Sequence, residues 1–218
     1  MFGEGRDRAL VRAWLEGRSI SRGLPAPVFD RGSWRVDTNL DDERVRWVFA
    51  APEEGITAIG REVTKPFHLL KLCGEAEVLL SLLPDRWRLM SSSYFMSADI
   101  TLSGPVVPLG YDLELSAEGG VNHAAIFARD GKLAASGFAV ETEEAFVYDR
   151  IRTEPDHRRR GLGRAVMGAL ASCRKSAASQ QVLTATEEGK ALYLSMGWTV
   201  LSPYVTAGIP PTRNEGEM

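Results

Sequence analysis

Apolar residues recur at helical spacing at Leu162, Ala165, Val166, Ala169, Leu170 and Cys173, which leaves Arg164 and Arg174 for the solvated side. Just before this helix, Phe146, Val147, Tyr148, Ile151 and Thr153 suit a strand, and Pro155 ends it because proline cannot donate to a ladder. Between the two lies Arg158-Arg159-Arg160-Gly161-Leu162-Gly163. The glycines allow a tight bend, so successive N–H groups can converge on one anion at a helix N-terminus while the arginines add charge. Strand, basic turn and helix make a unit suited to a diphosphate.

Around this unit the pattern predicts further elements. Ala124 to Arg129 and Lys132 to Glu141 read as strands flanking Asp130-Gly131, a hairpin signal, and Gly137 marks a place for a bulge. Upstream, Ala9 to Leu15 suggests an amphipathic helix, and Gly23-Leu24-Pro25-Ala26-Pro27 breaks the chain before a strand near Trp34 to Asp37. A strand at Arg44 to Ala50 follows, then a helix at Pro52 to Val63, a strand at Phe67 to Cys73, a helix at Glu75 to Leu83 and a strand at Trp87 to Phe95. Gly104-Pro105 and Pro108 to Gly110 connect the halves, and Tyr111 to Leu115 starts the next strand. The division expected is 1–108 and 109–218.

Residues 33 to 96 and 133 to 207 share the order strand, strand, helix, strand, helix, strand. Either the first is a degenerate copy of the second, or the order is what any α/β segment yields. Where the second half has three arginines and two glycines, the first has Ala51-Pro52-Glu53-Glu54-Gly55, whose acidic side chains repel a diphosphate.

Two stretches together carry a family resemblance. Ile151-Arg152-Thr153-Glu154-Pro155 followed by Arg158 to Gly163 resembles motif A of the GCN5-related N-acetyltransferases, and Leu192, Tyr193, Gly197 and Trp198 resemble its motif B. The resemblance covers roughly residues 121 to 207 and implies a mixed, mostly antiparallel α+β sheet flanked by helices. Its fourth and fifth strands splay to admit the pantetheine arm of acetyl-CoA. It also implies cofactor contacts at Ile151, Arg152 and Thr153, at Arg158, Arg159, Arg160, Gly161, Leu162, Gly163 and Arg164, and at Thr186 and Gly189. Thr186 stands where the family often has asparagine. Gly189 replaces the usual alanine, which leaves more room for the cofactor.

The chemistry so implied is attack of an amine on a thioester. A lysine-like amine with pKa ~10.4 must lose a proton first, the carbonyl oxygen wants a backbone N–H, which a bulge near Gly137 or Phe138 could supply, and the departing thiolate needs a proton. By resemblance Tyr193 is the acid; a phenol stays protonated at neutral pH. The plainer reading is a packed ring. Asp149 and Glu141, on strands bordering the cleft, are candidate bases, and an exposed strand-end charge is the alternative for each.

Composition narrows the classes. A net charge of −3 over 218 residues argues against a general nucleic-acid binder. Cys73 and Cys173 have no framework spacing, no apolar run approaches the ~20 residues of a bilayer span, and the start, with Glu4, Arg6, Asp7 and Arg8, lacks the apolar core of a secretion signal. No metal-ligand spacing is present. His157 belongs to the basic turn, and His68 and His123 lie beside apolar strand residues. The expectation is a cytoplasmic acetyltransferase acting on an amine of a small molecule or protein, with no nucleic acid or membrane partner and with self-association open. The alternative is a CoA-binding sensor or scaffold without turnover.

Overall fold

The computed structural model describes residues 4–100 and 102–211; the side chains of Glu4, Arg6 and Asp7, and the two ends of the expected halves at 1–3 and 212–218, lie outside the described residues. The chain opens with α1 (Glu4–Ser21), β1 (Val28–Asp30), β2 (Ser33–Asp37), β3 (Val45–Phe49), α2 (Glu54–Glu62), β4 (His68–Cys73), α3 (Ala76–Ser81) and β5 (Arg88–Ala98). It continues with β6 (Tyr111–Glu118), β7 (Val121–Ala128), β8 (Leu133–Glu141), β9 (Ala145–Thr153), a 3₁₀ turn at Pro155–His157, α4 (Leu162–Ala171), β10 (Gln180–Ala185), α5 (Glu187–Leu194) and β11 (Thr199–Gly208). The first helix extends well beyond the Ala9–Leu15 core of its apolar signal.

The strands form one 11-stranded sheet in the order β1-β2-β3-β4-β11-β5-β10-β9-β8-β7-β6. Among the described residues the parallel pairs are β3·β4 and β9·β10; the other pairings are antiparallel. Outward from the central β11·β5 pair the order mirrors itself: β4, β3, β2, β1 on one side, β10, β9, β8, β7 on the other. Each half lends its last strand to the other, since β11 pairs with β4 and β5 with β10. Separating the halves would break both ladders.

Helices cover both faces. α4 buries Leu162, Ala165, Val166, Ala169 and Leu170 in a core shared with Phe146 and Tyr148 of β9; side chains of this size contribute roughly 1.5–3 kcal/mol each when fully buried. The intervening β9 residues Ala145 and Val147 point the other way, into a core with α1. There Trp14 packs edge-on against Phe95 and Tyr204 at 5.4 and 5.3 Å. α1 lies close because Gly17 has no Cβ, which would come within 2.6 Å of Val147. Trp47, Phe49, Leu70 and Leu72 form a third core with α2 and α3, while Val48 between them faces α1. So α2 and α3 share the α4 face, and α1 has the other.

The bulge falls on the strand opposite the glycine that signals it. Pairing of β8 with β9 passes from Ser136↔Arg152 to Phe138↔Asp149, so Arg150 and Ile151 together oppose Gly137. Arg150 takes a left-handed φ of 54° to make the step. Gly137 is needed because a Cβ there would collide with the Ile151 side chain and lie 2.8 Å from Val166.

Candidate active site

β9 and β10 pair only at Ala145↔Gln180, Phe146↔Gln181 and Val147↔Val182. Beyond that point β9 runs on through Tyr148–Thr153 and β10 through Leu183–Ala185 without facing bonds, leaving a wedge with a free backbone edge on β9. The bulge at Arg150 lies in this free stretch, and the added twist and bend of a bulge carry the β9 tip away from its neighbour. On the far side β5 pairs with β10 only from Tyr94 onward, so the wedge widens past Ala185.

At the mouth of the wedge the basic turn approaches α4. Arg159 has φ 60°, Arg160 follows, and Gly161 has φ 81° before the helix begins at Leu162. Left-handed residues spaced this way can turn successive N–H groups toward one point, the arrangement of an anion-binding nest. No side chain caps the helix, and a Cβ on Gly161 would meet nothing within 4 Å. Space for an anion lies directly above the helix N-terminus.

The arginines divide by task. Arg160 donates to the Tyr111 hydroxyl at 2.9 Å and to the Asp156 carbonyl at 3.1 Å, and the same hydroxyl bonds His157 Nδ1 at 3.0 Å. Tyr111, at the start of β6, therefore braces the turn, a role its strand pattern alone did not signal. Arg164 donates to Ser195 Oγ at 2.9 Å, while Arg152 and Arg158 meet Glu154 and Glu188 at 3.1 and 3.8 Å. Arg159 is exposed. Gly163 serves packing: a Cβ there would lie 3.0 Å from Leu192 and 3.7 Å from the Thr153 hydroxyl.

On α5, Thr186 is the N-cap, its hydroxyl accepting the Gly189 N–H at 3.2 Å. A Cβ built on Gly189 would lie 3.3 Å from the Tyr193 ring, so this glycine accommodates the tyrosine. Tyr193 is buried, its ring centroid 5.9 Å from that of Trp198. Burial pushes its pKa up to about 12, which holds the phenol in its protonated form.

Neither carboxylate proposed as a base is free to act as one. Asp149 points to α1, where it accepts Ser21 Oγ at 2.6 Å and both arms of Arg22 at 2.7 and 2.9 Å. Burial alone would raise its pKa; the Arg22 hydrogen bonds and the charges of Arg18 and Arg22 overcome that and lower it. Glu141 lies at the opposite end of the sheet and accepts the N–H groups of Lys175 and Ser176, each at 2.8 Å, and Ser179 Oγ at 2.7 Å. Its pKa is lowered too, the burial penalty being outweighed by these bonds. It pins the turn between α4 and β10. Of the remaining histidines, His123 stacks on Phe138 at 4.4 Å and His68 bonds the Pro66 carbonyl at 2.9 Å. Among the described residues no cluster could hold a metal ion, and no helix is long and apolar enough to cross a membrane.

Residues 122–200 match the family model described as Acetyltransferase (GNAT) domain. In three dimensions the chain is similar to a GCN5-related N-acetyltransferase from Kribbella flavida, at 17% identity and a TM-score of 0.66 over 96% of this chain and 97% of that one. It is also similar to a putative GNAT-family acetyltransferase from Novosphingobium aromaticivorans, at 16% identity and a TM-score of 0.59 over 96% and 100%. A tandem GNAT protein from the clavulanic acid biosynthesis pathway aligns at 12% identity and a TM-score of 0.52 over 72% and 68%. No curated protein sequence matches the chain at a significant level.

Proposed function

We propose, on the premise that residues 122–200 form a domain of the GCN5-related N-acetyltransferase superfamily, that the chain transfers an acetyl group from acetyl-CoA to an amine of a small molecule or protein, in the cytoplasm, within the wedge between β9 and β10. The observation that carries this reading is the coincidence of three features: the free β9 edge, the left-handed basic turn at the open N-terminus of α4, and a buried, protonated Tyr193. A free strand edge suits the amide-bearing pantetheine arm, because extended backbone can add to it as a further strand would. The turn's N–H groups and Arg159 suit the diphosphate.

In this reading a backbone N–H at the bulge of Arg150–Ile151 would meet the thioester oxygen, where charge develops as the amine attacks. The C–N bond forms and the C–S bond breaks. Tyr193 gives its proton to the thiolate. With Asp149 and Glu141 occupied, the amine surrenders its proton to water in the wedge.

The first half enters the same proposal as a degenerate copy of the second, supported by the mirrored strand order and by parallel pairs at matching places. It contributes strands to the shared sheet and a wall to the site, and no cofactor loop.

Calorimetry with CoA tests the cofactor half of the proposal. Arg159→Gly removes the side chain while suiting the left-handed φ, and should weaken CoA binding roughly tenfold, as expected for one lost charge-assisted contact. Valine at Gly161 or Gly163 would test less cleanly, because φ 81° strains the first and Leu192 blocks the second. Unchanged affinity in Arg159→Gly would remove this turn from the diphosphate site; acceptor turnover is then read as free thiol.

A further inference from the structure

The wedge borders both faces of the sheet, and the faces differ. On the α4 side its surroundings are apolar, with Tyr148, Leu162 and Tyr193 in one core. On the α1 side charge accumulates. Asp149 is shared by Arg22, Arg18 and Arg150 at 2.7, 3.6 and 3.5 Å, and Glu43, in the β2–β3 connection, is shared by Arg46 and Lys71 at 2.8 and 2.9 Å. Arg18, in the last turn of α1, joins the two groups, feeling Arg22, Asp149, Tyr204 and Arg46. Five basic side chains thus share two carboxylates.

That surplus comes at an energetic cost. Arg46 is 2% exposed, and its Nε and that of Arg18 are buried without a partner. Burial lowers the Lys71 pKa to about 8 even though Glu43 pulls the other way. A brace evolved only to fasten α1 to the sheet would balance its charges, as buried ion pairs require. This one holds more cations than carboxylates, with Arg22 and Arg150 partly in solvent and the Arg18 guanidinium 5.5 Å from the centroid of the Trp14 ring.

The cluster also neighbours an exposed stretch of strand. Val48, Lys71, Thr206 and Ser91 follow one another in register across β3, β4, β11 and β5. Residues Arg88–Ser92 of β5 are exposed although the strand lies at the middle of the 11-stranded sheet, and Ser93 beside them bonds the Tyr204 carbonyl. A central strand left exposed, carrying the hydroxyls of Ser91 and Ser92 beside the apolar Leu89 and Met90 and neighboured by these cations, has the mixed character of a binding surface.

Resting on the acyl-transfer reading above, we infer that this exposed strand surface on the α1 face receives the acceptor, and that the acceptor amine carries an anionic group, a carboxylate or a phosphate, drawn to Lys71, Arg18 and Arg46. Charge complementarity then selects the substrate class. A polycationic acceptor is repelled by the same side chains.

The first test needs no turnover. Arginine Nε–H signals of the intact protein are followed by NMR during separate titrations with acetate and with inorganic phosphate. The Arg18 and Arg46 signals should shift saturably with one of them, which also identifies the anion, and the response should vanish in Lys71→Met but persist in Lys71→Arg. The second test compares β-alanine, its amide and aminoethylphosphonate as acceptors. The better of the two acids should exceed the amide at least about tenfold in kcat/KM, and Lys71→Met should erase the preference while leaving CoA affinity unchanged. No saturable shift with either anion, or an amide acetylated as fast as both acids, overturns the inference. Because the NMR test uses wild-type protein, it holds even if Lys71→Met fails to fold. Intact CoA binding without an anion response defeats only this inference; an anion response without CoA binding defeats only the acyl-transfer reading.

Discussion

β3·β4 and β9·β10 occupy matching places on either side of the sheet's centre, are parallel, and lead into helices, yet one is closed and the other open. β3 pairs with β4 from Val45↔His68 to Phe49↔Leu72 and ends at its last pair. β9 leaves β10 after Val147 and continues to Thr153. The outer neighbours differ too: β2·β3 runs without a shift from Trp34↔Val48 to Asp37↔Val45, whereas β8·β9 carries the bulge. Even the helix starts diverge. The backbone of Arg31 presses on Gly55 in the first turn of α2, closely enough that a Cβ there would collide with it, while the N-terminus of α4 faces open space. Acidic Glu53 and Glu54 are therefore one of several obstacles in the first half. Strand pairing and a covering turn close it as well.

The largest test of this contrast is the anchor that fastens α1 beside the wedge. Asp149→Asn leaves Arg18, Arg22 and Arg150 without their carboxylate and should cost about 3–5 kcal/mol in denaturant unfolding. Its pKa is lowered in the folded protein, so its contribution is complete above the ordinary carboxylate value near 4 and is lost as pH falls through the folded value. The acid limb of the stability profile should accordingly flatten in the variant; an unchanged limb would make the cluster energetically idle.

Next comes the chemistry inside the wedge. Tyr193→Phe keeps the ring beside Trp198 and should lower kcat roughly 10²-fold or more at unchanged CoA affinity. Full turnover would leave Tyr193 a packing residue.

The bulge offers a third test. Gly137→Ala should destabilise the fold by about 1–3 kcal/mol, the usual range for overpacking, because the new methyl meets Ile151 and Val166. Adding Ile151→Val removes the colliding terminal carbon and should recover part of the loss. No recovery would place the strain elsewhere.

The smallest expected effect is in the closed half. Glu54→Arg, which reverses one charge in the first turn of α2, should create no second CoA site, since the β3·β4 ladder stays shut. A second binding event would make charge the deciding obstacle.

What was legible beforehand follows the range of the interactions involved. Helix and strand order came through because glycine, proline and apolar spacing act locally, and motif A lies within one strand–turn–helix unit. The mirrored sheet order and the exchange of β5 and β11 rest on pairings between distant segments, which periodicity does not encode. Gly137 did signal a bulge, but a glycine can mark the residue facing the bulge as well as the bulge itself. Asp149 looked like a base because its partners Ser21 and Arg22 are 128 and 127 positions away. Gly189 reads as room for the cofactor and Gly163 as part of a bend and a cofactor contact, and the side chains closest to a Cβ built at them are Tyr193 and Leu192.

Hydrogen exchange of the backbone amides, with and without CoA, compares the two pairs in one sample. With CoA bound, protection should rise over residues 148–153 and 159–164 and stay unchanged over 45–55. Protection over 45–55, or none in the β9 tip and the basic turn, would contradict a single wedge in the second half.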